Sequence, residues 1–382
     1  MRLFVDGLIF QKQKYGGISR LFREILPRMC KLDDDLEIIL FIEGNVSQNV
    51  PIHDRITLRN VPFVQRGHTP LNNFLREYAY PIYQLARKSW DITRSTMIGR
   101  GRNSIWHSTY YTYPRYWKGT QILTVYDLAH ELFPDLYDTP LDDITRLQKR
   151  ECINRADTII CISETTKRDL IKYYNIHENL FVIQIGCSEV FKYQPLSLKK
   201  ILPIKNRSFF LFVGNRSHYK NFEFLINAYS QWNLRKDITL VTVGNPFTEA
   251  ELKMIDTKGI NEHVILYSNL SDEELCNLYN QAIALVYPTM YEGFGIPLLE
   301  AMACGCPIIA SKIASTQEVA RDFPIYFELG KRESLITSFN AAIRLHENPE
   351  FKEKGFAISK QYSWDHTARQ TLDVYYKNSV KH

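Results

Sequence analysis

The run Tyr291-Glu292-Gly293-Phe294-Gly295-Ile296-Pro297-Leu298-Leu299-Glu300-Ala301-Met302 sets two carboxylates around a glycine turn and a proline-opened helical pattern. Ala282 to Pro288, an apolar run of strand type, precedes it, and Pro297 leads into the helix formers Leu298 to Ala303. Glu292 therefore stands where a strand ends and Glu300 in the first helical turn. Gly293 and Gly295 let the backbone turn tightly, and N–H groups around Phe294 and Gly295 offer an anion unpaired donors at a helix start. Such a pocket suits a polyhydroxylated phosphate ester, with carboxylates for hydroxyls and N–H donors for phosphate. The same residues also fit a plain strand-turn-helix connection with two solvated glutamates, so the surrounding elements decide.

Those elements come in two sets. Short strands at Leu3 to Val5, Ile38 to Ile42, Ile56 to Leu58, Ser104 to His107, Gln121 to Tyr126, Thr158 to Ile162 and Leu180 to Ile183 alternate with helical patterns at Ile18 to Lys31, Asn72 to Lys88 and Leu141 to Arg155. Gly16 and Gly17, His107, Asp127 and Ser163 all fall just after predicted strands, where parallel sheets bind ligands. Ser163 reads as a helix N-cap. After the lysine- and proline-containing segment Gln194 to Asn206 the alternation restarts, with strands near Phe209, Ile238, Val264, Ile283 and Pro307. The helices of this second set include one capped by Ser271 with Glu274 and one begun by Ser315 with Glu318. The expectation is an α/β chain of two doubly wound, Rossmann-like parallel-sheet domains facing a cleft. Their bounds read as 1–193, a linker 194–206, 207–363, and a final helix 364–382 that returns toward the first domain.

With 382 residues, 45% apolar and 23% charged, the chain has ordinary globular composition and the length for two cores. No stretch reads as a membrane span or signal peptide, so a cytoplasmic protein is expected. Seven cysteines without paired C-x-x-C spacing point to free thiols. Asp33-Asp34-Asp35 imitates a metal site but falls in a polar connection, so no metal is expected there. The net charge of +5 is concentrated between Arg55 and Lys118, where arginines interleave with aromatic residues such as Trp90, Trp106, Tyr111 and Trp117. That mixture fits an anionic membrane surface, a nucleic acid, or a helix pair with an aromatic core and a solvated basic face. Membrane contact is preferred to nucleic acid.

Several ordered motifs together resemble the retaining glycosyltransferases of family 4, which have the two-domain GT-B fold. Phe212-Val213-Gly214-Asn215-Arg216-Ser217-His218-Tyr219-Lys220-Asn221 is similar to the family's phosphate-binding segment, Ser271 to Leu275 to the helix before the Glu motif, and Glu292 to Glu300 to its Glu-x7-Glu signature. Gly16-Gly17, Trp106-His107-Ser108 and Ile162-Ser163-Glu164 match more loosely. The resemblance implies a transferase moving a hexosyl unit, mannose among the candidates, from a nucleotide-diphosphate sugar to a glycan or lipid-linked acceptor in O-antigen- or capsule-like assembly, at the inner face of the cytoplasmic membrane. It implies no metal cofactor, because Arg216 and Lys220 would offset the charge on the leaving phosphate. Many members place an arginine directly before the lysine; here Tyr219 stands there, and Arg216 is taken as the compensating charge. Glu300 would bind the ribose and Glu292 would lie near the donor sugar, with Gly16, Gly17, Gly293, Phe294 and Gly295 completing the donor site.

On the acceptor side, His107 either lines the cleft or is a strand-end core histidine, and Asp127 either orients an acceptor hydroxyl or caps its turn, with His130 facing the same way. No convincing carboxylate nucleophile stands in the sequence, so same-face attack with the leaving phosphate as base is the expected route to retention. A nucleotide-sugar epimerase or phosphorylase on the same fold, and a non-catalytic nucleotide-sugar-binding protein, are the alternatives.

Overall fold

A computed structural model of the chain describes residues 1–13, 16–42, 50–60, 92–93, 95–137, 139–194, 208–216 and 218–379. The expected helix Asn72 to Lys88, the linker after Gln194 and half of the basic aromatic stretch lie outside the described residues.

Among the described residues, β-branched and aromatic runs bounded by polar turns form two wholly parallel sheets. The first has seven strands in the order β3-β2-β1-β4-β5-β6-β7: β1 (Arg2–Asp6), β2 (Glu37–Ile42), β3 (Ile56–Asn60), β4 (Ile105–Ser108), β5 (Thr120–Val125), β6 (Thr158–Cys161) and β7 (Leu180–Val182). The second has six, in the order β10-β9-β8-β11-β12-β13: β8 (Ser208–Val213), β9 (Ile238–Val243), β10 (Val264–Tyr267), β11 (Ala284–Tyr287), β12 (Ile308–Ser311) and β13 (Ile325–Phe327). In each sheet the strand order reverses once, between β1 and β4 and between β8 and β11. Crevices beyond the carboxyl ends of strands at such reversals are where open α/β sheets hold ligands. Gly16 and Gly17 follow β1, and the Glu292 turn follows β11.

Helices cover the sheets because their apolar faces need burial. Leu21, Phe22, Ile25, Leu26 and Met29 of the Gly17–Leu32 helix are all buried. The last helix, Trp364–Ser379, packs on it although it follows the second sheet in the chain. Its residues enter the first domain's interior: Thr158 donates to Asn378 Oδ1 at 2.8 Å, Thr120 donates to the Asn378 carbonyl at 3.3 Å, and Thr367 donates to the Gln184 carbonyl at 2.8 Å.

One local reading is decided and one corrected. Trp106 and Trp117 pack with Phe4 and Phe41 in the core, which decides for the aromatic-core alternative at these two residues. The helix after β12 starts at Ala314, and Glu318, read as its capping residue, instead reaches the other domain. Further elements had no expectation, among them the strand β13, the short helices Leu8–Lys12 and Ala129–Leu132, and the helix Pro349–Ser359. All seven cysteines are free, with the sulfurs of Cys276 and Cys304 3.7 Å apart. No helix among the described residues is long and apolar enough to cross a membrane.

Candidate active site in the interdomain cleft

The site is built outward from the turn after β11. Gly295 has φ +109°, a conformation a side chain would strain, and it opens the Ile296–Ala303 helix with Pro297 in its first turn. The Met290 N–H donates to the Tyr219 carbonyl at 2.7 Å, and Asn221 Nδ2 donates to the Pro288 carbonyl at 3.1 Å. These bonds tie the Tyr219–Lys220 segment to the turn and bring Lys220 Nζ to 2.5 Å from Glu292 Oε1. Both side chains are mostly buried, and the Tyr287 hydroxyl also bonds Glu292. A cation, a carboxylate and a helix N-terminus thus meet at one end of the second sheet.

Glu300 lies one turn into the same helix and is 4% exposed. Its Oε2 accepts from the Tyr279 hydroxyl at 2.9 Å, and its Oε1 accepts from Arg20 Nη1 at 2.6 Å. Arg20 comes from the other domain and also bonds Asp272. Burial pushes the Glu300 carboxyl above its ordinary range, while Arg20 and the Tyr279 hydroxyl pull it back. Arg20 was not singled out from the sequence; its only signal was a cation in the first turn after Gly16-Gly17. Those glycines let this helix start come close, because a Cβ at Gly17 would lie 2.9 Å from Ile296 Cδ1. The Gly16 carbonyl accepts the first helical bond, from the Arg20 N–H at 3.0 Å.

Gly293 lies hard against the first domain. A Cβ there would lie 1.7 Å from the Tyr126 carbonyl oxygen, and its own carbonyl accepts from Ser163 Oγ at 2.5 Å. Ser163 is also the N-cap of the Glu164–Tyr174 helix, so it serves both roles. The Tyr291 hydroxyl accepts from the Leu128 N–H at 3.1 Å and donates to Asp169 at 2.8 Å. Glu318 caps the Glu164–Tyr174 helix from across the cleft, accepting from the Glu164 and Thr165 N–H groups at 2.7 and 2.8 Å.

Asp127 lies beside this contact, its Cβ 3.2 Å from a Cβ built at Gly293. It caps its own turn by accepting from the Ala129 N–H at 3.0 Å, and its partly exposed carboxylate remains at the cleft. Phe294 contributes backbone only, because its ring is buried edge-on to Tyr362.

One expectation changes. His107 is not a cleft residue: it is 1% exposed, with Nδ1 2.5 Å from the Tyr375 hydroxyl and Nε2 2.8 Å from Thr124 Oγ1. Burial lowers its pKa to about 3, so it is a neutral core imidazole joining β4 to the last helix. Arg216 is engaged on two of its nitrogens: its Nε donates to Glu251 at 2.7 Å, its Nη2 donates to the Asn245 and Pro246 carbonyls, and its guanidinium lies 4.7 Å from the Phe247 ring centroid. Its Nη1 is buried with no hydrogen-bond partner among the described residues. Arg20 is a further cation at the cleft, bonded to Glu300.

Residues 195–350 match the family model described as glycosyl transferases group 1, and residues 15–188 match glycosyltransferase family 4. The chain is a glycosyltransferase of the GT-B fold. It is 25% identical over 383 residues to the O-antigen chain mannosyltransferase B of Escherichia coli, covering 95% of this chain and 97% of that one. It is 26% identical to the O-antigen chain mannosyltransferase RfbU of Salmonella typhimurium, over 68% of this chain and 69% of that one. Among solved structures, Anabaena HepE in complex with UDP-glucose superposes with a TM-score of 0.71 at 16% identity, over 99% of this chain and 100% of that one. WaaG, a glycosyltransferase involved in lipopolysaccharide biosynthesis, gives 0.67 at 17% identity, over 98% of this chain and 99% of that one. At such identities these two superpositions speak for the fold.

Proposed function

We propose that this glycosyltransferase moves a hexosyl unit, with retention at the anomeric carbon, from a nucleotide-diphosphate sugar to a hydroxyl of a lipid-linked or polysaccharide acceptor. The names of its relatives favour mannose as the sugar and O-antigen-like surface glycan as the product. The observation that carries the reading is the Lys220–Glu292 pair, 2.5 Å apart beside the Ile296–Ala303 helix start and facing the first domain. The diphosphate would sit at that helix start, and Lys220 would turn from Glu292 to the leaving phosphate as the glycosidic bond breaks. Glu292, released from the lysine, would hold a hydroxyl of the donor sugar. Glu300 would take the ribose hydroxyls, sharing its oxygens with Arg20. The leaving phosphate would accept the acceptor's proton on the same face, which gives retention without a covalent enzyme intermediate. The chemistry is proposed to need no metal ion, and the enzyme to work at the inner face of the cytoplasmic membrane.

The test is a panel of nucleotide sugars and glycan acceptors in chelator, scored by nucleotide release and by NMR of the product's anomeric configuration. Transfer with retention supports the reading; release of an inverted product, or none with any pairing, refutes it. Glu300→Gln is expected to weaken nucleotide affinity, whereas Glu292→Gln and Lys220→Ala lower kcat by roughly 10²–10³.

A further inference from the structure

An aromatic stack at the cleft, beside Lys220 and Glu292, has no part in the donor site. His130 and Tyr137, from the segment after β5, lie with ring centroids 4.3 Å apart. Tyr137 in turn faces Tyr219 of the other domain at 6.2 Å, and the two side chains are hydrogen-bonded. Phe133 and Tyr291 form a second cross-domain pair at 5.7 Å. All five are only partly buried, so they line a surface rather than fill a core. Lys220 Nζ lies 5.2 Å from the Tyr219 ring centroid, which places one end of the stack against the donor site.

Polar atoms accompany the rings. His130 Nδ1 is buried with no hydrogen-bond partner among the described residues, while its Nε2 stands 3.6 Å from Asp142. Burial and the Lys149 charge lower the His130 pKa, against Asp127, Glu131 and Asp142, so the ring is neutral near pH 7 and keeps one donor and one acceptor nitrogen. Beneath it, the buried Lys149 donates to the Asp127 carbonyl at 3.1 Å and to Glu131 at 2.8 Å, and Tyr174 donates to Glu131 at 3.0 Å. This framework holds the segment rigid.

Aromatic faces with a few fixed polar groups take up the C–H face and the hydroxyls of a sugar ring. An anionic ligand would meet Asp127 and Asp142 as like charges. A lipid chain would bury His130 and Asp127 without partners. We propose that His130, Tyr137 and Tyr219 form the acceptor subsite, and that its ligand is a neutral pyranose, the terminal sugar of the acceptor glycan, stacked on Tyr137. The proposal rests on the glycosyl-transfer reading above. It assigns the Tyr219 replacement a purpose: the position before Lys220 serves the acceptor and not the phosphate.

Saturation-transfer NMR with methyl α-D-mannopyranoside and methyl α-D-glucopyranoside tests it, on protein saturated with whichever of GDP and UDP raises its Tm. The wild type is expected to transfer saturation to a pyranoside. Tyr137→Leu and His130→Gln are each expected to weaken that binding by about tenfold, the scale of one lost stacking or hydrogen-bonding contact. Nucleotide affinity by calorimetry and the unfolding temperature report whether the variants keep the donor site and the fold. If neither nucleotide nor any nucleotide sugar binds, the glycosyl-transfer reading fails with the subsite. If nucleotide binds but no pyranoside does, or both variants hold the pyranoside as the wild type does, the subsite alone is overturned.

Discussion

Arg20 sets the ionisation of the residue expected to hold the nucleotide. Glu300 is nearly sealed from water, and burial alone would favour its neutral acid; the guanidinium at 2.6 Å keeps the carboxylate form accessible. Ribose hydroxyls donate to a carboxylate, so protonating Glu300 weakens nucleotide binding. Arg20→Gln is therefore expected to raise the Glu300 pKa further and make nucleotide affinity fall by about tenfold per pH unit below the new pKa. Calorimetry from pH 5.5 to 8.5 checks this: the variant should recover affinity as pH rises, and a wild-type-like profile would refute the role. At this scale the sequence was partly legible. Lys220, Glu292 and Glu300 stand out because charged residues flank glycine turns at fixed spacing where strands give way to helices. Arg20 does not, since its partners Asp272 and Glu300 are 252 and 280 positions away and no local pattern links them. Arg216 is legible as a cation near a phosphate-type loop, but its bond to Glu251, whose carboxylate also caps the Glu249–Thr257 helix, is not.

His107 belongs to the scale of elements, because it fastens β4 to the Trp364–Ser379 helix. It stays neutral in the native state down to pH about 3, whereas in the unfolded chain it takes a proton below about 6.5. The unfolded state then binds more protons, so stability is full above about 6.5 and falls as pH drops toward 3, by at most about 1.4 kcal/mol per pH unit from this residue. Urea unfolding of wild type and His107→Gln across that range should show the variant's pH slope shallower by up to one proton. The same variant is expected to retain glycosyl transfer, which a cleft histidine would not allow. The strands were legible as elements because apolar runs between polar turns are read locally. The facing of a strand-end side chain was not, because it depends on a helix from the far end of the chain.

Taken whole, the molecule is a clasp of two sheets whose carboxyl ends meet at Gly293. Ser163, Tyr291, Glu318 and Arg20 each bond across the cleft, and only a hydrogen side chain fits against the Tyr126 carbonyl. Gly293→Ala is expected to part the domains by a fraction of an ångström to an ångström and to slow transfer by roughly 10²-fold, the usual effect of misplacing reactants on that scale. Steady-state kinetics with small-angle scattering tests it, and an unimpaired rate would show that this contact does not set the geometry. The two-sheet plan was legible because the strand-helix alternation stops and restarts, but the cross-cleft bonds join residues that no sequence periodicity connects. The last helix carries a further consequence, for the order in which the protein is made. The first sheet and the Gly17–Leu32 helix leave the ribosome early, yet the surface they bury against Trp364–Ser379, including Tyr375 over His107, arrives only after the entire second domain has been synthesised. The first half of the nascent chain therefore waits with an apolar flank uncovered, and it is completed only after the second domain has been made, unlike the usual domain-by-domain sequence.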